Sequence, residues 1–256
     1  MNREPPKDVK KTLREEVGFG CPVPNCGRPY LEWHHFDPPW REKNHHNPKG
    51  MIALCREHHI QADHGAFTPA QLHEFKRAGK ENWKQISGKF NWMRNRILAV
   101  VGGNFYYETP IIFMFREQPI IWFERDENNY LLLNVHMLST SRLPRAYITN
   151  NEWFNVGNEE DIECPPSAKR VKISYPNGDM VSIEFFEINT IEDAKKRYPK
   201  ARVGDWRIEL PVTAVEVTNI VANSGLEFNA NETKFGIGNV MRNCFLSHCG
   251  AGFAIS

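Results

Sequence analysis

The chain has 256 residues, 41% hydrophobic and 25% charged, ordinary globular material with room for one large domain or two small ones. No apolar run approaches the roughly 20 residues of a membrane span, and the start MNREPPKDVKK is too polar for a secretory signal. Six Cys in a chain of this size do not make a secreted disulfide scaffold, so a cytoplasmic protein without membrane contact is the expectation.

The net charge of +1 averages two unlike parts. Residues 1–100 hold 17 Lys and Arg against 11 Asp and Glu, together with eight of the ten His, whereas the remainder holds 15 against 20. A basic, His-rich front suits a polyanion-binding module joined to something with another job.

In chain order, residues 1–17 read as a polar arm or short helix around Pro5-Pro6. Residues 18–65 carry a dense set of Cys and His. Thr68-Pro69 is an N-cap followed by Pro at the first helical position, opening a helix with Leu72, Phe75 and Ala78 on one face and its end near Gly79. A second helix is expected over 82–101, with Trp83, Ile86, Phe90, Met93, Ile97 and Leu98 at helical spacing. Gly102-Gly103 ends it.

Beyond Gly103 the pattern switches to strands at 111–115, 119–123 and 130–137. The runs 170–174 and 181–188 flank Asn177-Gly178, which predicts a hairpin with a type I′ turn. A short helix follows over 191–198. Val217–Asn219 with Gly225–Phe228 is echoed by Met241–Asn243 with Gly250–Phe253, which could be two rungs of a small β-solenoid or ordinary strand–turn punctuation.

The Cys and His cluster carries the chemistry. Cys21 and Cys26 form one close pair around a Pro-Asn-Cys-Gly turn, and Cys55 and His58 form another, the arrangement that delivers four ligands to a structural zinc. Such a site staples a segment too small to build its own core. His34, His35, His59, Asp63 and His64 are left over. On a helix opening near Cys55, His58 and His59 point about 100° apart, so His58 can serve the zinc while His59 faces elsewhere with Asp63, one turn on. A second site of His34, His59 and Asp63 would hold a divalent cation with open positions, leaving His35 as a general base. In a regular strand His34 and His35 face opposite ways, and both can serve one site only if the strand breaks there. Phe36-Asp37-Pro38-Pro39 supplies the break. His45-His46 reads as loop filler.

The residues Leu31-Glu-Trp-His34-His35-Phe-Asp-Pro and Met51-Ile-Ala-Leu-Cys55-Arg-Glu-His58-His59 resemble the signature of HNH endonucleases, the ββα-metal fold, in its zinc-stapled form. The resemblance covers about residues 18–80. It implies that His34 binds the catalytic metal, His35 activates water, His59 is a ligand and Asp63 the last ligand, with His64 as its substitute. It departs from the family at Gly50, where the central Asn that braces the loop is expected; Asn47 is the nearest replacement.

The resemblance implies hydrolysis of DNA phosphodiester bonds, in double-stranded DNA, with structural Zn²⁺ and catalytic Mg²⁺ or Mn²⁺, Ni²⁺ or Zn²⁺ being the alternatives. Arg28, Arg41, Lys43, Lys49 and Arg56 are expected to contact the DNA backbone, giving affinity without sequence choice. The alternative is a zinc-stabilised nucleic-acid- or protein-binding module whose catalytic site has decayed, as Gly50 would allow. The expected fold class is α+β: a zinc-stapled ββα-metal nuclease domain over 1–80, a helical linker over 81–103, and a β-rich domain over 104–256. That last domain would select the target or bind a protein partner or a second copy. By analogy, two-part chains of this kind serve as restriction or anti-phage effectors.

Overall fold

A computed structural model describes residues 2–81 and 85–255. The chain divides into two units, Met1–Gly88 with Asp161–Ala168, and Lys89–Glu160 with Lys169–Ser256. The class is α+β, mostly sheet, and no helix among the described residues is long and apolar enough to cross a membrane.

In the first unit, α1 (Lys7–Glu16) begins directly after Pro6, where a missing N–H costs nothing. It buries Leu13 completely. It ends where Gly18 and Phe19 take φ of 66° and 62° and the Phe19 N–H returns to the Arg14 carbonyl at 2.9 Å, a left-handed terminating turn. β1 (Leu31–His35) and β2 (Met51–Cys55) pair antiparallel, Leu31 opposite Cys55 and His35 opposite Met51. All five residues of β2 are buried, because α1 and α2 (Arg56–Asp63) both pack on it. No loop separates β2 from α2, and Cys55 is the N-cap of that helix.

α3 (Pro69–Glu81) is opened by a capping box: the Thr68 N–H donates to Gln71 Oε1 at 2.9 Å, and the Gln71 N–H to Thr68 Oγ1 at 3.3 Å. Its Leu72 joins Leu13, Val17, Leu31, Met51 and Leu54 in one core, with Phe67 and Phe75 packed against it. Each such aliphatic side chain contributes about 1.5–3 kcal/mol on burial. Asp161 accepts both arms of the Arg14 guanidinium, at 2.7 and 2.6 Å.

The second unit is built from two sheets. In one, Ala251–Ile255, Ile111–Phe115, Gln118–Arg125, Leu131–His136, Tyr147–Thr149 and Glu152–Phe154 lie side by side in that order. In the other, Arg170–Ser174, Met180–Ile188, Val212–Val221, Leu226–Phe228, Thr233–Phe235 and Asn239–Met241 do the same, and Ile97–Val101 pairs parallel with Val212–Val221. Phe113 of the first sheet and Phe228 of the second meet with ring centroids 4.8 Å apart. α4 (Ile191–Arg197) carries a capping box between Thr190 and Asp193.

Three sequence expectations change here. The helix expected over 82–101 is not formed: Ser87–Lys89 and Ile97–Val101 are strands, while Asn82–Lys84, with Trp83, fall outside the described residues. Ile86, Phe90, Ile97 and Leu98 are all buried, whereas Met93 is exposed. Ile97–Val101 is apolar and largely β-branched, and sheet partners on both sides override a helical period that its spacing happens to fit.

The 170–188 hairpin forms, but its turn is not type I′. The Gly178 N–H donates to the Tyr175 carbonyl at 2.9 Å, and only Gly178 is strongly left-handed, at φ 91°. Pro176 therefore occupies the second turn position, where its fixed negative φ forbids type I′. The echo in the tail is not a pair of rungs. Leu226–Phe228 folds back antiparallel on Val212–Val221, whereas Ala251–Ile255 pairs parallel with Ile111–Phe115.

Candidate metal centres

The first centre is assembled by a knuckle and a helix start. Cys21 and Arg28 close the knuckle, with the Cys21 N–H on the Arg28 carbonyl at 2.9 Å and the Gly27 N–H on the Cys21 carbonyl at 3.1 Å. Asn25 and Gly27 take φ of 65° and 66° to turn it. Cys55 at the end of β2 and His58 one turn into α2 face it. Cys26 Sγ lies 3.7 Å from Cys55 Sγ, and His58 Nδ1 lies 3.3 Å from Cys21 Sγ and 3.2 Å from Cys55 Sγ.

A tetrahedral zinc with ordinary bond lengths has edges of about 3.8 Å between sulfurs and about 3.6 Å between sulfur and nitrogen. The donor set therefore fits a zinc-sized cation in both chemistry and spacing. Burial, followed by the neighbouring thiols, pushes the Cys21 and Cys26 pKa values up, and a bound cation is the charge that would reverse this. This group can hold a metal ion and is compatible with zinc.

The second group is His34, His59 and Asp63, whose ligand atoms also lie within 4.8 Å of one another. His34 comes from β1, while His59 and Asp63 sit one turn apart on α2, which packs against β1. His34 Nδ1 lies 3.2 Å from Asp63 Oδ1, and His59 Nε2 lies 3.9 Å from Asp63 Oδ2. Neither nitrogen makes a hydrogen bond of proper geometry, and both are buried. Burial and the facing His59, opposed by Asp63, lower the His34 pKa to about 4. The His59 ring is held from its other side, Nδ1 lying 2.9 Å from Glu32 Oε2.

His35 is not part of this group. Its ring lies 4.7 Å from Trp40, 5.2 Å from His45 and 5.8 Å from His46, so neighbouring histidines turn into different surroundings. β1 ends at His35, and the Phe36 and Asp37 N–H groups both point to the Gly50 carbonyl, at 3.0 and 3.2 Å. His35 is 4% exposed, and neither ring nitrogen has a full hydrogen bond. Burial first, then the charge of His45, lowers its pKa to about 4, with the nearby His45 carbonyl only partly opposing.

The remaining expected residues are placed as follows. His64 is exposed at the C-terminal end of α2, with Nδ1 on the Ile60 carbonyl at 2.8 Å, and lies outside the group. The Asn47 side chain accepts the Lys49 N–H at 3.2 Å and caps the turn 48–50. Arg28 is paired with Glu57 at 2.6 Å. Arg41, Lys43, Lys49 and Arg56 are exposed.

Gly50 is dictated by crowding, since a Cβ there would fall 1.8 Å from the Asp37 carbonyl oxygen. His45 ties this loop together. Its Nε2 lies 2.9 Å from the Pro38 carbonyl and its Nδ1 accepts the Asn47 N–H at 3.1 Å.

Sequence reasoning missed Glu32, Arg3, Trp40 and the His45-His46 pair. Strand alternation could have found Glu32, two residues before His34 and therefore on its face. Arg3 had no signal, because its position depends on the arm folding back: His46 Nε2 lies 2.9 Å from the Asn2 carbonyl. Arg3, Glu32, Trp33 and His59 line a cavity of about 470 Å³, and the Arg3 charge contributes to lowering the pKa of both His34 and His35.

Compared with known proteins, the chain matches no family model, no curated protein and no solved structure.

Proposed function

We propose that this chain is a metal-dependent DNA endonuclease or nickase of the HNH type. The observation that carries the reading is the pair of separate donor groups on one β–β–α frame, Cys21/Cys26/Cys55/His58 and His34/His59/Asp63. The first is a soft, four-donor set suited to a structural zinc. The second offers three donors, two of them buried ring nitrogens without a hydrogen bond, and suits a divalent cation such as Mg²⁺ or Mn²⁺ with coordination positions to spare.

When bound, that cation supplies positive charge for a phosphodiester oxygen and for the departing oxygen. The chain's own residues supply the rest. In this reading His35 is the base that takes the proton of an attacking water. Burial lowers its pKa to about 4 and its ring nitrogens make no full hydrogen bond, although its ring stands among Trp40, His45 and His46 rather than with the His34 group. His45 fixes the loop that encloses His35. In this reading Arg3, which lines the adjoining cavity, meets a backbone phosphate, while the exposed Arg41, Lys43, Lys49 and Arg56 offer further charge of the right sign. Target selection falls to the β-rich unit in this reading.

The enclosure of His35 by Trp40, His45 and His46 favours a second reading, a zinc-stabilised nucleic-acid-binding module without hydrolytic activity. Nicking of supercoiled plasmid with Mg²⁺ or Mn²⁺ separates the two. The endonuclease reading expects cleavage by the wild type, and loss of cleavage with DNA binding retained in His35→Ala. Full-rate cleavage by His35→Ala rejects the base assignment. Absence of cleavage by the wild type with every divalent cation leaves the binding module.

A further inference from the structure

His59 carries two ring nitrogens with opposite surroundings. Nδ1 lies 2.9 Å from Glu32 Oε2, while Nε2 is buried, unbonded and turned toward Asp63 and His34. A neutral imidazole has one N–H and one lone pair, and the partner of one nitrogen decides the role of the other. An ionised carboxylate accepts and never donates, so a carboxylate at Nδ1 places the proton there and leaves the lone pair on Nε2.

We propose that Glu32 is a positioning residue, whose carboxylate holds the Nδ1 proton of His59 and thereby commits Nε2 to a divalent cation. The inference rests on the reading of His34, His59 and Asp63 as a cation site. It adds a residue that the donor group itself does not contain. Glu32 is not a fourth donor, because its carboxylate stands against the nitrogen that does not belong to the group. It lies on β1 opposite Leu54 and two residues before His34, so strand alternation puts both side chains on one face, beneath the helix that carries His59. The side chains of Glu32 and His59 are 24% and 16% exposed, so this 2.9 Å contact is partly shielded from competing water. A carboxylate behind a ligating histidine fixes the ring's rotation and raises its basicity, and losing such a partner weakens metal binding about 10–100-fold.

The test uses the zinc-loaded full chain and two measurements that do not depend on activity. In Mn²⁺ titration followed by calorimetry, Glu32→Leu is expected to bind about 10–100-fold more weakly than wild type. Glu32→Gln, whose amide oxygen still accepts the Nδ1 proton, stays within a few-fold. In long-range proton–nitrogen correlation spectra recorded before Mn²⁺ is added, His59 is expected as the Nδ1–H tautomer in wild type and Glu32→Gln, and as a mixture in Glu32→Leu. Zinc stoichiometry reports whether each variant is folded. An unchanged affinity and tautomer in Glu32→Leu overturns the proposal. So does a loss in Glu32→Gln as complete as that in Glu32→Leu, which would make Glu32 a donor in its own right. If wild type and His34→Ala take up Mn²⁺ equally, the cation-site reading fails, while the tautomer spectra still decide whether Glu32 orients His59.

Discussion

A Cβ on Gly50 would fall 1.8 Å from the carbonyl oxygen of Asp37 and 3.1 Å from His45 Cε1. The backbone of the turn after Asn47 and the backbone leaving β1 thus approach more closely than any side chain permits. The Gly50 carbonyl is in turn the acceptor for the Phe36 and Asp37 N–H groups. This contact explains why position 50 is Gly.

A side chain at this position is therefore expected to do harm. Gly50→Asn and Gly50→Ala should both destabilise the first unit, by about 2–4 kcal/mol, because the clash is with backbone and can be relieved only by moving the loop. Thermal melts read the effect. A Gly50→Asn protein as stable as wild type would show that the approach is not as close as described.

Zinc removal should unfold the stapled segment selectively. With zinc in the first group, as proposed, Cys26→Ser and Cys55→Ser are expected to lose it, measured by elemental analysis, and to lower the melting temperature of the first unit. The apparent binding energy of a structural zinc, about 10–16 kcal/mol, is largely folding energy. His59→Ala should keep the zinc, since His59 belongs to the other group. A variant lacking Cys55 that retained full zinc and the wild-type melting point would remove Cys55 from the donor set.

The Arg14–Asp161 pair offers a double-mutant cycle. The two side chains are 10% and 13% exposed and meet at 2.6 Å. Asp161→Ala alone leaves a guanidinium shielded from water and should cost about 3–5 kcal/mol, whereas Arg14→Met combined with Asp161→Leu should recover most of that loss. Denaturant unfolding measures each corner of the cycle. Equal losses in the single and double variants would mean the pair contributes through packing alone.

Asp179 should make the second unit acid-sensitive. Its side chain is fully buried. Burial pushes its pKa up, but hydrogen bonds from Ser139, Asn177, the Ala222 N–H and Arg145 outweigh this and hold it below the ordinary carboxylate value. A depressed folded-state pKa means stability that is complete above the unfolded value of about 3.9 and is lost as pH falls through the lower folded value. Asp179→Asn should cost about 2 kcal/mol or more at neutral pH and flatten the acid limb of a stability–pH curve. An acid limb unchanged in that variant would assign the sensitivity to other carboxylates.

Much of the candidate site was legible because its donors are local in sequence. Cys21 with Cys26, Cys55 with His58, and His59 with Asp63 are each separated by a turn or a helical repeat, so spacing alone brings them together. The capped start of α3 at Thr68-Pro69 was legible for the same reason. The 82–101 segment was not: its apolar positions fit a helical period, and the strand identity of Ile97–Val101 is set by a parallel partner at Val212–Val221, more than a hundred residues away. The Asn177-Gly178 turn misled because Pro176, one residue earlier, decides which position Asn177 can occupy.

The sequence by itself determined the close donor pairs Cys21/Cys26, Cys55/His58 and His59/Asp63, because residue type and helical or turn spacing are local properties. Tertiary structure alone decided that His35 sits among Trp40, His45 and His46, that Gly50 is closed to any side chain, that His45 braces the loop and that Glu32 stands behind His59. Those facts depend on how the ends of β1 and β2, the 37–47 loop and α2 converge, and no local pattern encodes the distance between atoms so far apart along the chain.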